Sequence, residues 1–412
     1  MRLCSVYFEI NLAVIMSFPL VQAAYIHLPF CRRRCFYCDF PVVVVGNHAN
    51  LRDLAGVQHY VEALCQEIRA TPSQGQSLKT IFFGGGTPSL LPIAALETIL
   101  QQLDQKFGID PNAEISLEID PGTFTREQLS DYQRLGVNRL SLGVQAFQDE
   151  LLQSCGRSHC LADIYLAVNW LQAMGWQNWS LDLISGLPHQ TLAQWQYSLE
   201  TAIALAPHHI SCYDLVLEPV TAFGKRFQAG ETPLPTDKNT AQMYRQASSV
   251  LQQAGYEHYE ISNYAQKDHQ CRHNRVYWEN QSYYGFGMGA ASYTNGIRFT
   301  RPRTRQSYYH WLQVYQQQSG QLFDSPLDLT EQLLETLMLG LRLAEGIPLE
   351  RLKKFGKDPL EKVLKTLAPY RANGWVRQLT ECSTLIALTD PEGLLFSNIV
   401  LTALFKAFSE EE

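Results

Sequence analysis

Three cysteines, Cys31, Cys35 and Cys38, fall within eight residues of the stretch "YIHLPFCRRRCFYCDF". The spacing is C-x3-C-x2-C, and few structural roles use it. A closed structural zinc site takes four ligands, usually from paired motifs, and the fourth would have to come from afar. A disulfide would use two thiols and strand the third. Soft thiolates at this spacing suit a [4Fe–4S] cluster better. Three thiolates on a four-iron cube leave one iron open to a substrate or cofactor, much as a catalytic zinc keeps an open position. Arg32, Arg33 and Arg34 lie in the same loop. They either favour thiolates and offset the charge of a cluster or form a solvated basic turn.

The rest of the chain is consistent with a reducing, cytoplasmic setting. Ten cysteines in 412 residues are too few for a disulfide scaffold. Seven are scattered, and each reads as a small buried hydrophobe or inert thiol. With 46% apolar and 18% charged residues the chain can bury a sizeable core, and the length suggests two or three domains. A net charge of -7 argues against a large basic face, so no nucleic-acid partner is expected. The N-terminus has an early Arg and an apolar stretch, but Glu9 and Asn11 interrupt it. It reads as an N-terminal extension (1–20), of which residues 1–15 fall away if Met16 rather than Met1 is the start. No run approaches transmembrane length.

From residue 23 short apolar runs alternate with helical patterns. "AAYIHL", "KTIFFGG", "AEISLEI", "NRLSLGV", "NWSLDLIS" and "HISCYDL" read as six strands, with helical segments between them. Six such units predict an α/β fold with a parallel sheet covered by helices. A partial (β/α)6 barrel and a doubly wound sheet both place polar residues at the strands' C-terminal ends. The spacing does not separate the two. The expected organisation is a core over 21–235, an α/β extension over 236–322 and a small, mostly helical, winged-helix-like domain over 323–412. No dense Lys/Arg face marks that last domain as DNA-binding, so it reads as a docking or packing domain.

Several strand ends carry candidate binding groups. "GGGTP" (84–88) offers close backbone approach and free N–H groups for a carboxylate. Glu118 in "LEIDP" can accept two ribose hydroxyls. Asp120 competes for that role but reads better as the cap of the Pro-Gly turn.

The cysteine loop after a first strand, with Tyr37 just before the last cysteine, resembles the radical S-adenosylmethionine (SAM) superfamily. That resemblance implies a partial TIM-like barrel, a [4Fe–4S] cluster on Cys31, Cys35 and Cys38, and SAM on the open iron. Gly85, Gly86 and Thr87 would contact SAM, with Glu118, Gln145, Arg157 and Asp182 following the pattern of the oxygen-independent coproporphyrinogen oxidase-like family. Tyr25 and Tyr37 join the cofactor set on the same ground.

That family divides between an oxidase and a haem chaperone. The oxidase loop continues to a fourth cysteine two residues past the third, where this chain has Phe40. Asp39-Phe40 is similar to the HemW-type haem-chaperone branch. So is "CRHNRVYW" (271–278), which resembles the HNxxYW motif associated with haem. His273 is the candidate axial ligand, with Cys271 in reserve, and Asn274 belongs to the motif. Tyr277 and Trp278 could stack on a porphyrin face. The other histidines read as structural. The resemblance implies a haem-accepting protein, membrane-associated in one version, and an electron donor for the cluster. The chain would act as a monomer or homodimer. The alternative is oxidative decarboxylation of coproporphyrinogen III.

Overall fold

The computed structural model describes residues 20–46, 55–322, 325–378 and 384–409. Residues 1–19, with Cys4 and both candidate start sites, lie outside the described residues, as does Cys382. The apolar runs form β1 (Ala23–Leu28), β2 (Leu78–Gly85), β3 (Ile109–Ile119), β4 (Arg139–Gln145), β5 (Trp179–Ser185) and β6 (His209–Asp214). All six are parallel, and each pairs with its neighbours in sequence. A doubly wound sheet would reverse its strand order at a switch point. The unbroken order makes this a partial barrel, with its chemistry-bearing loops at one end.

The covering helices include α1 (Ala55–Ala70), α2 (Ile93–Phe107), α3 (Arg126–Arg134), α4 (Leu161–Ala173), α5 (Leu192–Ala204) and α6 (Asp237–Gln253). Their starts are written locally. Thr125 with Gln128, and Thr191 with Gln194, form capping boxes on α3 and α5, each satisfying two otherwise orphaned N–H groups.

Region 236–322 does not stand apart from the sheet. β7 (Glu257–Glu260) and β8 (Asn263–Ala265) extend it antiparallel beyond β6, and β9 (Tyr284–Phe286) pairs with β1 at the other edge. The order is β9-β1-β2-β3-β4-β5-β6-β8-β7, so the barrel stays open between its edge strands. The short helix α7 (Arg272–Trp278) lies between β8 and β9, and α8 (Arg305–Gln317) packs on α1.

A second apolar cluster holds the C-terminal helices α9 (Leu329–Gly340), α10 (Lys357–Ala372) and α11 (Ser397–Ser409). Charged contacts join it to the barrel: Arg245–Glu392 at 2.6 Å, Arg298–Glu335 at 2.8 Å and Arg275–Glu345 at 2.5 Å. No helix among the described residues is long and apolar enough to cross a membrane.

The barrel interior is polar. A closed TIM barrel fills this space with branched apolar side chains. Here Ser116 and Glu118, Arg139 and Ser141, Ser180 and Asp182, and His209, Ser211 and Tyr213 alternate inward and line a cavity of about 210 Å³.

Candidate functional site

The cysteine loop begins where β1 ends. Phe30–Cys31 runs beside Val43–Val44, so the loop leaves and returns at the barrel mouth. The Cys38 N–H donates to the Cys35 carbonyl at 3.2 Å, turning the chain between those two ligand positions. The exposed arginines brace the loop. Arg34 Nη1 donates to the Cys38 and Phe40 carbonyls, both at 3.1 Å. Arg33 donates to the carbonyls of Gly156 and Arg157. These two act as clamps, and the charge of Arg34 also favours the Cys38 thiolate, as one sequence reading expects. Arg32 lines the mouth cavity, and its Nε is buried without a partner.

The three cysteines share this cavity, of about 440 Å³, with Tyr37, Gly85, Gly86, Thr87, Glu118, Gln145, Arg157 and Asp182. The chain therefore gathers nearly all of the expected cofactor set from strand ends and loops spread between Cys31 and Asp182. Tyr25 is the exception. It lines the interior cavity instead, and its hydroxyl is 3.0 Å from His27 Nδ1. His27 Nε2 donates to the Pro41 carbonyl at 2.9 Å, so Nδ1 of the neutral ring accepts the hydrogen bond from the Tyr25 hydroxyl. Burial holds His27 neutral, with its pKa lowered to about 4.

The glycines of "GGGTP" are sterically required. A Cβ on Gly86 would lie 2.7 Å from the Phe30 carbonyl oxygen, and Gly85, at φ +110°, packs against the His27 ring. Both keep the second strand pressed on the first beneath the cysteine loop. Gln145 adopts φ +71° at a bulge that ends β4, a strained conformation of the sort concentrated at functional sites.

Glu118 accepts the Gly85 N–H at 3.0 Å. Burial, with Asp182 nearby, pushes its pKa up to about 8 against a partial offset from that hydrogen bond. Asp182 is also raised by burial, and it accepts from Ser141 (2.8 Å) and Ser211 (2.7 Å). A protonated Glu118 has a pH signature. Between its ordinary value of 4.5 and about 8, the folded chain holds a proton that the unfolded chain has released. Stability of the cofactor-free protein therefore falls as pH rises through this window. Thermal melts should show that slope in wild type, and Glu118→Gln should flatten it.

Asp120 departs from the sequence reading. Its side chain does not cap the Pro-Gly turn; the Thr123 N–H instead meets the Asp120 backbone carbonyl at 3.1 Å. The carboxylate faces the cavity, where it pairs with Arg157 and accepts from Thr87 Oγ1 at 3.1 Å. Its position two residues past Glu118 was the available signal, since alternate residues leaving a strand share a face. Ser211 and Tyr213, also missed, carry the same period-two signal.

The HNxxYW segment lies elsewhere. α7 closes the barrel floor, at the strands' N-terminal ends. The Glu114 carboxylate takes the N–H groups of Arg272 (3.1 Å) and His273 (3.0 Å), an anion at a helix start. His273 is fully buried, and burial lowers its pKa to about 3. Its Nδ1 is 2.8 Å from Thr80 Oγ1, and its Nε2 is 2.8 Å from the Tyr277 hydroxyl. Both ring nitrogens are thus engaged. Trp278 lies under Arg342, whose guanidinium carbon is 5.7 Å from a ring centroid. Thr80, near the start of β2, and Gly85, at its end, stand about 17 Å apart at 3.3–3.4 Å per residue. The structure does not bring His273 or Trp278 to the cysteine cavity. Asn274 and Tyr277 do reach the interior cavity, which Glu118 and Asp182 share from above.

The donor set at the mouth fits an iron–sulfur cluster. Burial pushes the Cys31 thiol up to about 12 and raises Cys38, so loading must displace protons. Among the described residues no three His, Cys, Asp or Glu side chains close on one point as a single metal ion needs. Tetrahedral zinc with bonds of about 2.3 Å would hold its sulfurs about 3.8 Å apart. Three partly buried thiols lining one cavity, with the Arg157 guanidinium 3.5 Å from Cys35 Sγ, suit a thiolate-held cluster. Arg157 Nε, like Arg32 Nε, is a buried donor without a partner at this cavity, ready for an anionic group.

Comparison with known proteins gives a consistent picture. The radical SAM superfamily model matches residues 25–202, and the HemN C-terminal domain model matches 327–385. A Synechocystis protein named heme chaperone HemW is 51% identical over 408 residues, covering 96% of this chain and 99% of the relative. Proteins of the same name from Bacillus subtilis and Escherichia coli are 36% and 35% identical, covering 84% and 92% of this chain and 91% and 96% of their own lengths. The solved coproporphyrinogen III oxidase HemN of E. coli, described as a radical SAM enzyme, superposes with a TM-score of 0.78 at 23% identity. That match covers 95% of this chain and 91% of HemN, and it shows the shared fold.

Proposed function

The chain belongs to the HemW family within the radical SAM superfamily, and we propose that it is a haem chaperone, binding haem and passing it to an acceptor protein. The observation that carries this reading is Phe40. It stands where the oxidase loop would place a fourth cysteine, in a chain 51% identical to a named haem chaperone. Cys31, Cys35 and Cys38 hold a [4Fe–4S] cluster. Gly85, Gly86, Thr87, Glu118, Gln145, Arg157 and Asp182, with Tyr37, hold SAM against it. When bound, the cluster supplies an electron and an open iron for SAM. The chain's own residues do the rest: the arginine clamps fix the loop, the glycines admit the cofactor, and the carboxylates orient it. An electron donor and a haem acceptor complete the reading, which places the protein in the cytoplasm.

Haem contact by the HNxxYW motif comes with a condition. His273 has no free nitrogen while α7 seals the floor, and Arg275–Glu345 ties that helix to the C-terminal domain. Iron ligation by His273 therefore requires α7 to move, whereas Cys271 already lines the interior cavity.

The test is anaerobic reconstitution with iron and sulfide, followed by haem titration and transfer to a haem-depleted protein. Haem binding with transfer, and little conversion of coproporphyrinogen III given SAM and reductant, is expected. Robust protoporphyrinogen formation would overturn the chaperone reading. An unchanged Soret band and affinity in His273→Ala would remove His273 as a ligand.

A further inference from the structure

Asp120 lies one residue beyond β3 at the barrel mouth. Its Oδ1 pairs with Arg157 Nη2, and its Oδ2 accepts from Thr87 Oγ1 at 3.1 Å. Both donors also reach a cysteine. Arg157 Nη1 is 3.5 Å from Cys35 Sγ, and Thr87 Oγ1 is 3.7 Å from Cys31 Sγ. The pair is sheltered, with side-chain exposures of 8% for Arg157 and 21% for Asp120. Arg157 is further held by the Gly143 carbonyl at 2.9 Å, so its direction is set. One carboxylate thus stands behind the hydrogen-bond donors to two of the three sulfurs.

Two effects of this arrangement have the same sign. Thr87 has one hydroxyl proton, and the carboxylate oxygen competes for it with the more distant Cys31 sulfur. Asp120 also cancels the guanidinium charge beside Cys35. Hydrogen bonds to sulfur and nearby positive charge both favour the reduced, more negative cluster. Drawing off one and cancelling the other lowers the potential.

We infer that Asp120 is a positioning residue that holds down the reduction potential of the cluster, acting through Thr87 and Arg157; the inference rests on the reading of Cys31, Cys35 and Cys38 as its ligands. A low potential makes the reduced centre a stronger donor to whatever occupies the open iron.

The experiment is a potentiometric titration of anaerobically reconstituted full-length protein, followed by visible absorbance and EPR, for wild type, Asp120→Asn and Asp120→Glu. The Asn variant should hold a more easily reduced cluster. At a fixed ambient potential its reduced-to-oxidised ratio should rise about tenfold, equivalent to 59 mV for one electron. The Glu variant keeps the charge and should move less. If Asp120→Asn assembles no cluster, Asp120→Ser removes the same charge with a smaller side chain and must raise the potential likewise. A merely structural role would lower cluster content and leave the potential of the assembled fraction unmoved. An unmoved potential beside a normal wild-type cluster, or a shift in Glu equal to that in Asn, overturns this inference alone. A wild-type protein that assembles no cluster overturns the ligand reading and this inference with it.

Discussion

Alanine at Cys31, Cys35 or Cys38 should abolish the reconstituted iron–sulfur chromophore and leave the far-ultraviolet circular dichroism of the chain unchanged. The three thiols are free and only partly buried, on a loop outside the main core, so truncation removes little packing. The loop keeps its own supports in the Arg33 and Arg34 clamps and the Cys38-to-Cys35 turn. What is lost is a thiolate that no neighbour replaces. SAM affinity should fall by more than about 100-fold, because loss of even an outer partner of a metal ligand costs roughly 10–100-fold. Iron and sulfide analysis with a SAM titration measures both effects. Substitution of Cys155, buried beneath the same loop, should leave iron content intact.

Glu67→Ala should be among the most destabilising single changes in the barrel. Glu67 lies on α1 at 0% exposure, against an Arg301 side chain at 2%. Its Oε1 accepts Arg301 Nε at 2.8 Å, and its Oε2 accepts the Gly287 N–H at 2.9 Å and the Tyr308 hydroxyl at 2.6 Å. Removing the carboxylate leaves a buried guanidinium without its counter-charge, a loss of about 3–5 kcal/mol. The effect reaches the site. Gly287 follows β9, and the next N–H, that of Met288, donates to the Tyr60 hydroxyl, which itself donates to the His27 carbonyl on β1. Denaturant midpoints of the cofactor-free protein should fall sharply in Glu67→Ala. The double change Glu67→Leu with Arg301→Leu should recover much of the loss, since a buried pair replaced together costs far less than one broken.

What was legible in the sequence was local. The C-x3-C-x2-C spacing needs no tertiary information, and it marked the mouth of the barrel. The strands showed as short apolar runs with helical segments between them. Strand order was not legible, because pairing is decided by hydrogen bonds between segments far apart in the chain. Asp120 was misread for a related reason. A Pro-Gly turn follows it, and a local cap was the cheapest role, whereas its partners Thr87 and Arg157 stand 33 and 37 residues away. The motif at 271–278 was recognisable, but its confinement was not. His273 is engaged by Thr80, 193 residues earlier, and nothing in "CRHNRVYW" reports that contact. Glu67 shares the buried face of α1 with Tyr60, Ala63 and Leu64, but its partners Gly287, Arg301 and Tyr308 lie 220, 234 and 241 residues on, beyond the reach of a local pattern.

SAM binding at the barrel mouth requires a cube of iron and sulfur held at three corners by this loop, with the fourth iron available to SAM. EPR and Mössbauer spectra of anaerobically reconstituted protein, recorded before and after SAM is added, test it most directly. The expected result is a [4Fe–4S] signal that changes on SAM addition and in which one iron becomes distinguishable from the other three. Zinc without iron, or a four-iron centre whose spectrum ignores saturating SAM, would contradict it.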